Sequence, residues 1–588
     1  MSDYQAPIND MLFTLHDVFN IIGKLQDLKH PLELDEELVN AILEEAGRFA
    51  SQVWAPINRN GDEQGCQFDS GLVSTPDGFK QAYQQFVESG WASFYASDKY
   101  GGQGMPKALH VLLEEMLYAS NTSLCLYPSL TTGAIHAILT HASDELKDIW
   151  LPKMVEGRWA GAMCLTESHA GTDLGLIKTK AQPTDDGHYE VTGTKIFITG
   201  GEQDLTENIV HLVLARVAGA PEGVKGISLF IVPKMTLDDQ GNIQSPNAVH
   251  CGSIEHKMGI KGSATCVMNF DGAKAYLVGE ENQGLKYMFS MMNNERLSIG
   301  IQGIGLTSRS LQTATAYAKE RLQSRGPLDK KSDTSYIVEH PDVRKMLFWM
   351  RSHLEASRVS LVWLGLLVDR ITDHPEATER AKADKLVAFM TPVAKAFYSD
   401  FGFEACNKGL QVLGGHGYIR EWGQEQLVRD ARIAQIYEGT NGIQAMDLIG
   451  RKLLSDGGEG YQLFKTAIWQ AVASLEGYAD IQQSMQKALD AHYETTEWIL
   501  NNSQDRPALA GSVATDYLQF TGICWFASMW ALALNGLKNS RFLNSQQKQE
   551  KEALAQFFCQ KVLVQYQSLQ SSIYAGEDSL MMLSAEQI

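Results

Sequence analysis

Nothing in this sequence is arranged to hold a metal ion or a disulfide framework. Its eight cysteines (Cys66, Cys125, Cys164, Cys251, Cys266, Cys406, Cys524, Cys559) include no Cys-x-x-Cys pair, and none lies at zinc-ligand spacing from a histidine. They read as free thiols of a reducing compartment. Positive charge is scarce as well: 50 Lys+Arg stand against 70 Asp+Glu, a net charge of −20. Such a surface repels polyanions, so nucleic-acid binding starts at a disadvantage. No arginine precedes Arg48, and the acidic start MSDYQAPINDMLFTLHDVF speaks against an Arg-rich transit peptide or a basic-then-apolar signal. The terminal AEQI is no peroxisomal address. The expected location is cytoplasmic. Short-period repeats and low-complexity tracts are also missing.

What is present is ordinary globular material, 44% apolar and 20% charged, over 588 residues. That length implies roughly three to five domains. Residues 1–158 read as helical, with Leu38, Ile42, Ala46, Phe49 and Val53 spaced for one helix face and similar patterns over 107–118 and 145–156. From 159 to 280 the texture is that of strands. An Asp186-Gly187 turn precedes YEVTGTKIFIT, then HLVLARV (211–217) and GISLFIVP (226–233), which suggests a compact antiparallel barrel or sandwich. Helical character returns over 281–455, broken by a polar loop at 324–342, and Gly457-Gly458 separates off a further helical block, 456–588. The fold class is α+β. GIQGIG at 300–305 lacks the dinucleotide-binding spacing and reads as small residues that let two helices approach. The uncharged run 517–537 is long enough to cross a bilayer; it reads as a buried helix, with peripheral membrane contact as the alternative.

Four motifs can carry chemistry. AMCLTESHAGTDLGL (162–176) is a polar loop whose Thr166, Thr172 and backbone around Gly171 offer donors to a phosphate or a flat ring, or else form ordinary turns and a cap. KIFITGG (195–201) ends a strand on Thr199 and two glycines, which would admit a flat cofactor or simply make a turn. NNERLSIGIQGIG (293–305) sets Arg296 on an otherwise small, apolar helix, to pair with a carboxylate such as Glu295 or to meet a ligand. QVLGGHGYIREWGQEQLVRDARIAQIYEGTNGIQ (411–444) ends in an apolar run with one acid, Glu438, before Gly439. Desolvation there would strengthen Glu438 as a base; an exposed glutamate before a glycine cap is the plainer alternative.

The order and spacing of these four motifs, over residues 40 to 455, resemble the acyl-CoA dehydrogenase family. The resemblance implies an N-terminal helical domain, a middle β domain and a C-terminal four-helix bundle, here followed by an extra helical domain. It implies FAD as cofactor, α,β-dehydrogenation of an acyl-CoA thioester, and electron-transfer flavoprotein as the partner. In the family the glutamate matching Glu438 takes the α-proton as the β-hydride moves to flavin N5, with its backbone N–H helping to polarise the thioester carbonyl. Met163, Leu165, Thr166, Gly171 and Thr172 match the loop along the flavin; Phe197, Ile198 and Thr199 match the segment beside its ring. Arg321, Gln323, Gln411, Gly414, Gly415 and Thr440 match further FAD contacts, with Arg321 serving the neighbouring subunit's FAD. Asn293, Arg296, Thr172 and Gly439 match the substrate side. ERLQSRG is one residue longer than the usual segment, and Pro341 and Gly442 stand where glutamine is common, which leaves those contacts open.

The departures, the opening segment and the long C-terminal block resemble a long bacterial subgroup that includes 3-methylmercaptopropionyl-CoA dehydrogenase and fatty acyl-CoA dehydrogenases. The substrate implied is 3-methylmercaptopropionyl-CoA or a medium to long fatty acyl-CoA, and the long block implies a homodimer. The alternatives are an acyl-CoA oxidase on the same scaffold and a flavin-bearing nucleic-acid-binding relative. From residue 456 onward 8 basic residues face 14 acidic ones, a net of −6, which disfavours the latter.

Overall fold

The β-branched runs after Trp159 form strands because such side chains fit a pleated surface buried on both sides. In the computed structural model, which describes residues 4–327 and 333–588, the chain divides into two compact units. One comprises Gln52–Met105 and Asn121–Glu295, and the other Met1–Ser51, Pro106–Ser120 and Arg296–Ile588. One passage of the chain between them is marked by a break in the long helix Lys107–His141, where Asn121 leaves helical geometry and its side-chain oxygen accepts the Leu124 N–H at 3.1 Å.

The strands all lie in the first of these units. A hairpin, β1 (Gln67–Asp69) and β2 (Leu72–Ser74), interrupts the stretch expected to be wholly helical; its Ser70-Gly71 turn, both residues at positive φ, supplies the two-residue reversal that hairpins need. The main sheet holds β3 (Trp159–Cys164), β4 (Lys180–Pro183), β5 (Tyr189–Thr199), β6 (Asn208–Val217) and β7 (Ile227–Pro233), then, after a small hairpin β8–β9 (Met235–Leu237, Ile243–Pro246), β10 (Val249–Ile254) and β11 (Thr265–Leu277). The strand order is β10-β11-β5-β4-β6-β3, and β7 pairs with both β11 and β6, so five strands close a ring. The expected antiparallel barrel is thus corrected in one respect: β6 runs parallel to both β3 and β4.

Period-two alternation divides β6 between two cores. Ile209, Val213 and Ala215 join Val191, Phe230 and Phe270, while Val210, Leu212 and Leu214 pack with Ile138, Trp150 and Met154 of the flanking helices.

The second unit is helical. Its longest members are Gly284–Glu320 (from Arg296), Pro341–Asp373, Ala377–Leu413 and Leu509–Leu537. The small residues of 300–305 do what their size suggested. A Cβ on Gly303 would lie 2.5 Å from the Tyr398 carbonyl oxygen, and one on Gly402 would lie 2.6 Å from Gly303 Cα, so the two helices touch through backbone. The helix Glu36–Phe49 turns its face by one residue from the expected stripe. Val39, Leu43 and Ala46 are buried and Leu38 is 44% exposed, because both stripes have helical spacing and only packing chooses between them. The uncharged run belongs to Leu509–Leu537; it is the one helix among the described residues long and apolar enough to cross a membrane, and 89% of its most apolar window is buried within the protein. The middle of the polar loop expected at 324–342 lies outside the described residues; Pro341 opens the next helix at its first position, where its missing N–H costs nothing.

Candidate active site

In the β unit, the loop after β3 is organised around a residue that local sequence chemistry did not single out. Glu167 accepts from the Lys178 and Thr179 N–H groups (2.7 and 3.0 Å), from Thr179 Oγ1 (2.6 Å) and from Lys195 Nζ (2.9 Å); Lys195 also donates to the Leu165 carbonyl at 3.0 Å. Burial raises the Glu167 pKa, but Lys195 and these donors outweigh it and bring it to about 2. This buried pair ties β5 to the loop, and Ile196 N–H donates to the Thr166 carbonyl at 2.8 Å. Thr166 and Phe197 are thereby brought to adjoining segments. Met163 and Thr166 are half-buried, Leu165 and Ile198 buried, Thr199 half-buried, and Gly171 and Thr172 exposed. Phe197 is held at φ +61° and is 58% exposed. A large aromatic ring in a strained, left-handed backbone and open to solvent is the kind of feature that marks a functional surface.

In the helical unit, Glu438 sits in a turn between the short helical segment Ile433–Gln435 and the helix Asn441–Met446, with φ +56°; Gly439 follows at +85°. Thr440 caps the helix, its Oγ1 accepting from Ile443 N–H at 3.3 Å. Two successive left-handed residues turn the chain sharply, and a non-glycine residue pays for that geometry with about 1–3 kcal/mol of strain. The strain is held by side chains from three directions. Arg296, buried, donates through Nε to the Glu438 carbonyl (3.4 Å). Gln444 Nε2 donates to the carbonyls of Glu438 and Gly439 (3.1 and 3.3 Å). Lys395 Nζ donates to the Gly439 carbonyl at 2.8 Å and to Asn441 Oδ1 at 2.9 Å. Tyr437, beside Glu438, donates its hydroxyl to Gln302.

The Glu438 residue retains some exposed surface, yet its carboxyl is packed round by protein. That burial raises its pKa to about 7 against the pull of Arg296 and Lys395. Lys395, buried, is lowered to about 7 by burial, with Glu438 and Asp400 pulling it back. The result is a carboxylate that gains and loses a proton near neutrality, beside Arg296 and a lysine that titrates in the same range, and a pKa near the working pH suits a general base. No protein acceptor takes the Glu438 N–H among the described residues.

A cavity of about 760 Å³ opens elsewhere in the helical unit, lined by Arg321, Gln323, His340, Gly414, Gly415 and His416 among others. Ligand pockets commonly have this size. Gly414 has φ +58°, and a Cβ on it or on Gly415 would meet nothing within 4 Å, so these glycines leave open space instead of filling a tight contact. An arginine beside bare backbone suits a phosphate-bearing group. Gln411 is exposed and is not among the lining residues; Asn293 is exposed on its helix, one turn before Arg296. Lys395, Gln444, Asn441 and the Glu167–Lys195 pair are the residues that sequence reasoning missed.

The acyl-CoA dehydrogenase N-terminal, middle and C-terminal domain models match residues 36–158, 162–273 and 282–454, and a model described as acetyl-CoA dehydrogenase C-terminal like matches 464–584. The chain belongs to the acyl-CoA dehydrogenase family. This dehydrogenase is 40% identical to 3-methylmercaptopropionyl-CoA dehydrogenase of Ruegeria pomeroyi, over 99% of its own length and 100% of the relative's. It is 36% identical to a butyryl-CoA dehydrogenase of Syntrophomonas wolfei, over 84% and 85% of the two chains. Its fold matches the acyl-CoA dehydrogenase of Bacillus anthracis solved with FAD, with a TM-score of 0.75 at 22% identity over 94% and 90% of the chains. It is an oxidoreductase acting on the CH–CH bond of acyl-CoA thioesters, and its alignment with the Ruegeria enzyme runs on through the extra helical block after Gly458.

Proposed function

We propose that the protein oxidises an acyl-CoA thioester to the trans-2-enoyl-CoA with Glu438 as the base, FAD as the hydride acceptor and electron-transfer flavoprotein as the next carrier. The observation that carries this reading is the Glu438 carboxyl itself, held in a doubly left-handed turn, desolvated to a pKa of about 7 and flanked by Arg296 and Lys395. The uncommitted Glu438 N–H offers the thioester carbonyl a donor, so that the α-proton is acidified while the base acts. Arg296 and Gln444 fix the peptide that aims the carboxylate; the family resemblance supports Arg296, Asn293 and Thr172 as substrate contacts. Bound FAD supplies the two-electron acceptor. On the family resemblance, Met163, Leu165, Thr166, Gly171, Phe197, Ile198 and Thr199 would hold its ring end, and Gln323, Gly414, Gly415, Thr440 and Gln411 would contact its phosphates and adenosine. Arg321 serves the partner's cofactor in a homodimer; a sedimentation mass near four subunits contradicts that assembly.

The substrate we favour is 3-methylmercaptopropionyl-CoA or a medium to long fatty acyl-CoA, supported by the full-length likeness to the Ruegeria enzyme. Anaerobic addition of each acyl-CoA to the yellow protein should bleach it, fastest with the true substrate, and slow reoxidation in air distinguishes a dehydrogenase from an oxidase. Because Glu438 must be ionised to accept a proton, kcat/KM should rise through about pH 7 and level off above it. A profile flat from pH 6 to 8 argues against this base. Arg321→Ala should weaken FAD binding by about 10- to 100-fold, the loss of one charge-assisted contact. Retention of FAD through dialysis, read by absorbance, checks it without any turnover.

A further inference from the structure

Asp400 lies inside the helical unit and is held by three amides. Gln435 Nε2 and Asn441 Nδ2 donate to its Oδ1 at 2.7 and 2.6 Å, and Gln519 Nε2 donates to its Oδ2 at 2.6 Å. The other end of the Asn441 side chain accepts from Lys395 Nζ, the same ammonium that donates to the Gly439 carbonyl. Gln519 belongs to the apolar helix Leu509–Leu537 of the C-terminal block, which packs against the Lys395 helix through rigid aromatic contacts. Tyr398 stacks on Trp525 with centroids 5.4 Å apart, and Phe397 meets Phe526 edge-on at 4.8 Å. A Cβ on Gly522 would lie 2.4 Å from the Phe397 ring, so the two helices approach closely one turn from Gln519. A half-buried glutamine on such a helix, placed against a carboxylate two partners away from the strained turn, is more than a solvated residue.

We propose that Gln519 is a positioning residue, through which the C-terminal block holds the Glu438–Gly439 turn by way of Asp400, Asn441 and Lys395. The proposal rests on Glu438 being the base. The extension, on this account, is a working part of the active site and not only an added domain.

The electrostatics give it a signature. Glu438 is faced by Arg296 from one helix and Lys395 from another; Lys395 is faced by Glu438, Asp400 and Arg296; Arg296 is faced by Glu438, Asp447 and Arg451; and Asp400 is faced by Lys395. Burial raises the Asp400 pKa, and Gln435, Asn441, Lys395 and Gln519 resist that rise. Removing the Gln519 donor therefore favours neutral Asp400. Lys395 then loses a carboxylate that keeps it charged, and Glu438 loses part of the cation that keeps it ionised. The midpoint of the kcat/KM profile should move to higher pH.

The test is a charge series at residue 519, measured from pH 5.5 to 9 in the FAD-loaded, full-length enzyme. Gln519→Leu should shift the midpoint upward by about half a unit, which reads as about a threefold loss on the acid limb with little change on the plateau. Gln519→Lys, which keeps a donor and adds a cation, should not shift it upward. Profiles that share one midpoint and differ only in height overturn the proposal, because loosened packing lowers the rate at every pH. Thermal unfolding of each variant shows which of them fold. Glu438→Gln, run alongside, separates the two readings. If it keeps parental activity, the base assignment has failed. If it is inactive while the residue-519 midpoints coincide, only the coupling is wrong.

Discussion

Glu438→Gln is expected to give a yellow, folded protein whose flavin the substrate no longer bleaches at a useful rate. General-base catalysis contributes about 10²- to 10⁴-fold, and here the proton lies on carbon, so a loss toward the upper end, about 10³-fold or more, is the expected outcome of anaerobic stopped-flow measurements. Gln keeps the shape of the side chain and leaves untouched the carbonyl bonds from Arg296, Gln444 and Lys395 that shape the turn. Binding of FAD should be unchanged, because Glu438 is not among the residues proposed to hold it. Stability should move the other way. The folded-state pKa of Glu438, about 7, lies above its ordinary 4.5, so the folded protein binds the extra proton between those values and this group's contribution falls as pH rises through them. At pH 8 the parent carries the full cost of an ionised buried carboxylate, and Gln should recover as much as ~2–3 kcal/mol of it; at pH 4 and below the gain should vanish. A variant that is slower by less than tenfold, or one less stable than the parent at pH 8, sinks the account of Glu438.

The setting of that carboxylate was half legible in the sequence, because its signal is local: one acid in an apolar run beside glycine, which an exposed glutamate before a cap would also give. The strands were legible for the same reason. YEVTGTKIFIT corresponds to β5, Tyr189–Thr199, without a residue's error, since alternation and a preceding Asp-Gly turn are both written into consecutive positions. The hairpin Gln67–Ser74 escaped because its strands have three residues each, too few to show a period. Lys395, Asp400 and Gln519 escaped for a deeper reason. Lys395 stands 44 positions from the Gly439 carbonyl it holds, and Gln519 stands 119 from Asp400. Each sits on a long helix whose pattern predicts only that it is a helix, and only packing brings the two helices and the turn together. The same holds for Glu167 and Lys195, 28 positions apart, whose union shapes the loop along which the sequence placed Thr166 and Thr172.

The C-terminal block is joined to the rest of its unit at a second place, and the contrast between the two junctions is itself testable. Lys551 is buried, with Nζ 2.9 Å from Glu355 and 3.1 Å from Asp10 near the start of the chain. Arg358, also buried, pairs with Glu115, its Nε 3.0 Å from the carboxylate, and lies 3.7 Å from Asp10; Arg351 bridges Glu355 and Glu550 at 2.7 and 2.9 Å. Lys551→Met keeps the aliphatic volume but strips a cation from carboxylates that cannot reach water easily. Breaking one partner out of a buried pair costs about 3–5 kcal/mol. The lower end applies here, because Arg351 still faces Glu355 and Asp10 keeps some exposed surface. A loss of about 3 kcal/mol at pH 7 in urea unfolding is the expected result. The double variant Lys551→Met/Glu355→Gln should recover part of it, since the two side chains share one interaction. The pH dependence follows from the directions of the shifts. Burial would raise the Asp10 pKa, but Lys551 and Arg358 hold it below its ordinary value, so its contribution is present above about pH 4 and is lost as pH falls through the depressed pKa. Burial would lower the Lys551 pKa, but Asp10 and Glu355 hold it above 10.5, so its contribution is full below that pH and is lost only as pH rises through the elevated pKa. The gap between parent and variant should therefore stay constant from about pH 5 to 9 and narrow in acid. Because the ion pairs of this cluster share no residue with the Asp400 chain, Lys551→Met should leave the kcat/KM midpoint where it was, while Gln519→Leu moves it. A shift in that midpoint, or a stability loss at pH 7 of less than about 0.5 kcal/mol, the size of an ordinary surface substitution, argues against a buried anchor at Lys551.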